Sequence, residues 1–175
     1  MTTVVLLAAG ASRRFGTACK LQYLYRGKPL VRHAAEAILA TSFPALAVTA
    51  DPAVEALLPE FRIIRSIGLQ SHSLQAGLAE VRDDCALVVL GDMPHIDAAL
   101  LRCIAASPAP AAASDDDRIT PPASIPRTLF ADIARLSGDQ GAASVLRTRN
   151  DLCRIPVPTG TLADIDTQED IFLFQ

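Results

Sequence analysis

Two short segments hold the residue types that phosphate and metal chemistry requires. In Gly91-Asp92-Met93-Pro94 a carboxylate comes directly after the apolar run Ala86 to Leu90, with a glycine that permits a tight exit and a proline that fixes the following turn. A carboxylate at a strand end is well placed for Mg²⁺, which takes hard oxygen ligands from one or two carboxylates together with substrate phosphates. The same aspartate is also suited to capping a following helix. The second segment is Leu7-Ala8-Ala9-Gly10-Ala11-Ser12-Arg13-Arg14-Phe15-Gly16, with Lys20 beyond it. Its small residues let backbone N–H groups approach a triphosphate, while Arg14 and Lys20 supply charge to offset negative density building at phosphorus. No Lys-Ser or Lys-Thr follows the second glycine and five residues intervene between Gly10 and Gly16, so the loop is neither a Walker loop nor a dinucleotide fingerprint. Taken alone, it is equally readable as a strand-to-helix turn with two solvated arginines.

The elements that must position these residues follow from hydrophobic patterning. Val4 to Leu7 is a continuous apolar run, as a parallel strand covered on both faces requires. Pro29 can open a helix in which Leu30, Ala34, Ala37, Ile38 and Thr41 recur near helical spacing. Ala45 to Thr49 and Phe61 to Arg65 read as strands flanking a short helix around Pro52 to Leu58. Ser71 or Ser73 can cap a helix carrying Leu74, Leu78 and Val81. Beyond Asp92, a helix is expected over Asp97 to Ala106, a strand over Ala109 to Ser114, and a mobile acidic loop over Asp115 to Pro122. Helices are expected over Pro126 to Leu136 and Asp139 to Arg147, with a last strand over Leu152 to Val157. The alternation predicts a three-layer α/β fold with a mainly parallel sheet, in one domain over residues 1–175. In such a sheet the ligand lies outside the carboxyl ends of the strands, where both segments fall. Asp164 to Phe174 reads as a terminal helix whose acidic residues, Asp164 through Asp170, are favoured mainly as its cap and first turn.

Composition narrows the function. Half of the 175 residues are hydrophobic, enough for a sizeable core, yet no apolar run approaches the roughly 20 residues needed to span a bilayer. Val4 to Ala9 is too short for a secretory signal and lacks a basic leader. A net charge of −3 without a long basic block argues against nucleic acid as a partner. The four cysteines have no metal-ligand spacing, so reduced thiols in a cytoplasm are expected. His33, His72 and His95 share no metal-ligand spacing either.

Six segments in order resemble the MobA-like nucleotidyltransferases, and within them the molybdenum cofactor cytidylyltransferase branch. They are the Leu7 to Gly16 loop with Lys20, Gly27-Lys28-Pro29-Leu30, Ser71 to Leu78, Gly91 to Pro94, Gly138 to Ala142 and Asp164 to Asp170. The resemblance implies a Rossmann-like nucleotidyltransferase fold of the nucleotide-diphospho-sugar transferase kind. It also implies that Leu7, Ala8, Ala9, Gly10, Ser12, Arg14, Gly16 and Lys20 bind the nucleotide. Gly68, Ser71, Ser73 and Gly77 would lie toward its base or ribose. Asp92 would be the principal Mg²⁺ ligand and Asp139 the second, although Asp139 is also placed to cap its own helix. Ala9, where a second glycine is the alternative, resembles the CTP-using branch more than the GTP-using one.

By the same resemblance, Arg14, Lys20 and Asp92 would carry catalysis, CMP would pass from CTP to molybdopterin, and a molybdoenzyme would receive the product. Alternatives are a cytidylyltransferase for a sugar or polyol phosphate, or a non-catalytic nucleotide-binding accessory protein. Two departures bear on the acceptor. Thr120 precedes Pro121 and Pro122 where many relatives have glycine, and Asp115-Asp116-Asp117 would repel an anionic acceptor unless the carboxylates point away.

Overall fold

The computed structural model describes residues 1–9, 19–116, 118–167 and 169–170. The apolar run at the start forms β1 (Thr2–Leu7), and its side chains alternate between two buried faces. A short 3-10 helix (Lys20–Gln22) leads to the small hairpin β2 (Leu24–Tyr25) and β3 (Lys28–Pro29). Pro29 immediately precedes α1 (Leu30–Leu39), whose buried Leu30, Val31, Ala34, Ala35 and Ile38 form the expected apolar stripe. Then come β4 (Ala45–Val48), α2 (Pro52–Glu55) with Asp51 as its cap, and β5 (Arg62–Ile64). Helix α3 (Gln70–Ala79) returns the chain to the most apolar strand, β6 (Cys85–Leu90). Beyond it lie α4 (Ala98–Ala106), capped by the Asp97 side chain, β7 (Ala111–Asp115) and β8 (Arg118–Pro126). The described elements end with α5 (Phe130–Ile133), α6 (Ala142–Leu146) and β9 (Cys153–Pro156).

Among the described residues the main sheet has seven strands in the order β5-β4-β1-β6-β8-β7-β9. Neighbours pair in parallel except around β8, which runs antiparallel to both β6 and β7. Val4, Leu6, Leu87 and Val89 face α1 and α4 on one side, while Val5, Leu7, Val88 and Ala123 face α3 and α6 on the other. This is the expected three-layer α/β architecture. Among the described residues no helix is long and apolar enough to cross a membrane.

Three local expectations are corrected. Residues 118–122 are not a loop but the first half of β8; Ala113 pairs with Thr120 and Ala112 with Ala123, so Pro121 and Pro122 occupy a break in the ladder. Proline has no N–H to donate, and a bulge is where a sheet tolerates it. Residues 126–136 hold the end of that strand, a 3-10 turn (Arg127–Leu129) and the single turn of α5, not a continuous helix. Finally, α3 starts at Gln70 with Leu69 as its N-cap, and α6 has Gly141, so Ser71, Ser73 and Asp139 cap neither helix.

Helix α3 lies close to the sheet because Gly77 has no side chain: a Cβ there would stand 2.5 Å from Val5 Cγ1 and 2.9 Å from Val48 Cγ2. Overpacking of this kind costs about 1–3 kcal/mol. Gly77→Ala is therefore expected to lower stability by that amount in urea denaturation. An unchanged midpoint would show that α3 can shift outward freely.

Candidate active site

Strands β4 and β6 flank β1 on opposite sides, so the strand order reverses at β1 and a crevice opens at the carboxyl ends of β1 and β6. The two ends are tied by Gly91 N–H donating to Leu7 O at 3.0 Å. A Cβ on Gly91 would meet Leu7 O and Val31 Cγ2 at 3.3 Å, which is why the exit from β6 needs a small residue. Asp92 follows and turns its carboxylate onto Lys20.

Lys20 Nζ lies 2.7 Å from Asp92 Oδ2 and 2.7 Å from Asp166 Oδ1. The lysine side chain is 9% exposed, that of Asp92 19% and that of Asp166 40%, so the triad sits at the inner end of a passage to solvent. Burial works against the Lys20 charge, but the two carboxylates together outweigh it and hold the ammonium above its ordinary pKa. For Asp92 burial wins: its pKa is raised despite Lys20, and Asp164 adds to the rise. Asp92 Oδ1 is sealed from solvent and has no hydrogen-bond partner among the described residues. A buried carboxylate oxygen without a donor is costly unless something electropositive meets it.

The terminal acidic run divides into two parts. Thr167 and Asp170 do what a helix start requires: the amides of Asp166 and Thr167 donate to Asp170 Oδ2, and the Asp170 amide donates to Thr167 Oγ1. Asp166 itself faces Lys20, and Ile165 N–H donates to Asp92 O at 3.1 Å. Asp164 pairs with Arg118 at 3.0 Å. The site membership of Asp166 was hidden behind the cap pattern; the available signal was a carboxylate just outside a capping motif that did not need it.

The other site candidates fall in different places. Gly10, Ser12, Arg14 and Gly16 lie outside the described residues. Leu7 closes the crevice floor, Ala8 N–H donates to Val48 O, and Ala9 is half-buried at the end of β1. Gly68, with φ +133, precedes α3 on an exposed loop and packs against the His72 ring. The Ser71 hydroxyl donates to Gly138 O at 2.9 Å, tying α3 to the loop before α6, whereas the buried Ser73 Oγ has no hydrogen-bond partner among the described residues. Gly77 packs against the sheet. Asp139 lines a cavity of about 300 Å³ between the start of α3 and α6, floored by Leu7, Val88 and Leu90. Among the described residues no group of three or more His, Cys, Asp or Glu side chains could hold a metal ion.

The family model of the MobA-like NTP transferase domain matches residues 4–153. The chain belongs to the MobA-like NTP transferase family. No curated protein is matched by its sequence. Rv0371c from Mycobacterium tuberculosis H37Rv is 28% identical, with TM-score 0.85 over 99% of this chain and 96% of that one. A manganese complex of Rv0371c matches at 26% identity and TM-score 0.82 over 99% and 97% of the two chains. Molybdopterin-guanine dinucleotide biosynthesis protein A from Archaeoglobus fulgidus shares the fold at 20% identity and TM-score 0.75, over 98% and 96%. This MobA-like chain is thus a nucleotidyltransferase with the family's α/β fold, and its family binds a nucleoside triphosphate and a phosphorylated acceptor.

Because Asp92 is harder to ionise in the fold than in the unfolded chain, the native state retains its proton between the ordinary value of 3.8 and the raised native one. The native state then binds more protons than the unfolded state, so this group's contribution to stability falls as pH rises through that window. In metal-free protein, the stability of Asp92→Asn minus that of wild type should rise from about pH 4 upward and level off above the window, whatever the constant cost of taking one carboxylate from Lys20. Urea denaturation across that range checks this, and an advantage that shrinks with rising pH contradicts it.

Proposed function

We propose that this protein transfers CMP from CTP to molybdopterin, with release of pyrophosphate, and that Mg²⁺ is held between Asp92 and Asp166. The observation that carries the reading is the buried Asp92 Oδ1, unpartnered among the described residues, beside a second carboxylate, with the Lys20 ammonium lodged between the two. Hard oxygen donors from two carboxylates, completed by substrate phosphates and water, match what Mg²⁺ takes. When bound, the ion would neutralise charge on the phosphates and align them for attack. The manganese complex of Rv0371c supports a divalent ion in this fold. The metal role that resemblance implies for Asp139 passes in this reading to Asp166.

This chain's own residues do the rest. Lys20, whose ammonium would yield Asp92 and Asp166 to a bound ion, would supply a point charge to the phosphates at the transferring group. Arg14 and the amides of the Gly10 to Gly16 loop bind the triphosphate, and Ser73 Oγ, without a partner among the described residues, meets the nucleoside. The acceptor's phosphate oxygen attacks the α-phosphorus in line, the bond to the β-phosphate breaks, and pyrophosphate leaves with the electron pair. A phosphate monoester is largely dianionic at neutral pH, so no general base is required.

The acceptor occupies the cavity on the α3 and α6 face. Its apolar floor suits a flat ring system better than a polyol, and Asp139 is placed to accept from ring N–H groups. Product release to a molybdoenzyme would follow, in the cytoplasm.

Two outcomes are expected. Asp92→Asn should lose at least about 100-fold in pyrophosphate release with CTP, Mg²⁺ and molybdopterin while staying folded; near-normal turnover would remove the metal assignment. In a thermal-shift panel of four NTPs with Mg²⁺, CTP should raise the melting temperature more than GTP does. The reverse order would remove the cytidylyl label.

A further inference from the structure

Asp166 belongs to a segment, residues 157–167, that forms neither helix nor strand and so has no hydrogen-bonded ladder of its own. Its position is imposed from outside. Gly160 O lies 3.0 Å from His95 Nδ1, and His95 Nε2 lies 2.7 Å from the Tyr25 hydroxyl. Ile165, fully buried, packs with Tyr25 and Leu30 in a small cluster separate from the two main cores. The Ile165 amide is the one that reaches Asp92 O.

A carbonyl oxygen only accepts, so Nδ1 of His95 carries a proton and, in the neutral ring, Nε2 accepts from the Tyr25 hydroxyl. Burial holds the Tyr25 phenol above its ordinary pKa, which keeps it a donor. Tyr25 is fixed in turn: its carbonyl accepts from His33 Nε2 at 2.9 Å, and Leu30 N–H donates to Tyr23 O at 2.8 Å. His95 stands three residues after Asp92 on the same loop. One loop therefore carries the first carboxylate at its start and, at its end, the ring that grips the segment bearing the second.

We infer that Tyr25 and His95 are positioning residues that set the gap between the carboxylates of Asp92 and Asp166; the inference rests on the reading of these two aspartates as the metal-holding pair. Neither side chain is needed to ligate. Their contact with Gly160 and Ile165 removes freedom that Asp166 would otherwise have to lose on binding a cation, as partners outside the ligand shell do at metal sites.

The test uses the full chain and two readouts. In metal-free protein, amide hydrogen exchange at Ile165 should quicken by roughly 10-fold in Tyr25→Phe and more in His95→Ala, with Val4 and Val5 in the central sheet unchanged. In the presence of CTP, Mn²⁺ titration followed by electron paramagnetic resonance should show affinity weakened roughly 10-fold or more in the same variants. His95→Asn, which keeps an N–H near the Nδ1 position but has no acceptor for the Tyr25 hydroxyl, should recover part of the His95→Ala losses, to about the level of Tyr25→Phe. Unchanged exchange at Ile165, or exchange that quickens equally throughout the sheet, overturns the inference, as does unchanged Mn²⁺ affinity in variants of a protein whose wild type binds the ion. Should wild type bind no Mn²⁺, the metal reading fails, and exchange at Ile165 by itself decides whether the two side chains hold the segment.

Discussion

Lys20 is an ammonium group almost removed from water and shared between two carboxylates, one from the middle of the chain and one from near its C-terminus. Taking an ion out of water costs several kcal/mol, and removing one member of a buried pair leaves an uncompensated charge at a cost of about 3–5 kcal/mol. The triad therefore couples three segments that share no regular element: the stretch after β1, the exit from β6 and the segment after β9. None can move far without stranding a charge. The compensation is also incomplete, since Asp92 still resists ionisation and retains a buried oxygen without a donor among the described residues.

The sheet makes this arrangement possible. Both faces of β1 and β6 are covered, which forces every polar group of the site out to the strand ends. Close approach is obtained by omission of side chains, at Gly77 where α3 meets the sheet and at Gly91 where β6 exits against β1. The reversal of β8 turns the second half of the domain back alongside β6. Its bulge at Pro121 and Pro122, together with the loop that Ser71 ties to α3, shapes the cavity on the α3 and α6 face. Since β7 runs in the same direction as β6, the acidic turn between β7 and β8 stands on the same side of the sheet as the crevice. Arg118 at that turn is paired with Asp164, so the hairpin and the terminal segment are linked by charge as well.

Much was legible in the linear pattern. Continuous apolar runs became β1, β4 and β6, because a strand buried on both faces has no polar alternation to disguise it. The helix after Pro29 and the abrupt stop at Gly91-Asp92 were equally clear, whereas the direct pairing of Lys20, read as a phosphate ligand, with Asp92 was not. Residues 118–136 were misread, since a strand interrupted by two prolines has no periodicity and its pairing comes from distant β6 and β7.

Residue types and local order thus determined the α/β class, the family and one carboxylate of the site. Only the tertiary structure decided which second carboxylate joins it. Asp166 lies 146 positions from Lys20, and within its own neighbourhood it is indistinguishable from the acidic residues that cap a helix. Asp139, with equal local credentials, ends in the cavity on the α3 and α6 face. Charge pairing acts through space over a few ångströms, whereas a sequence pattern reports only what is near along the chain.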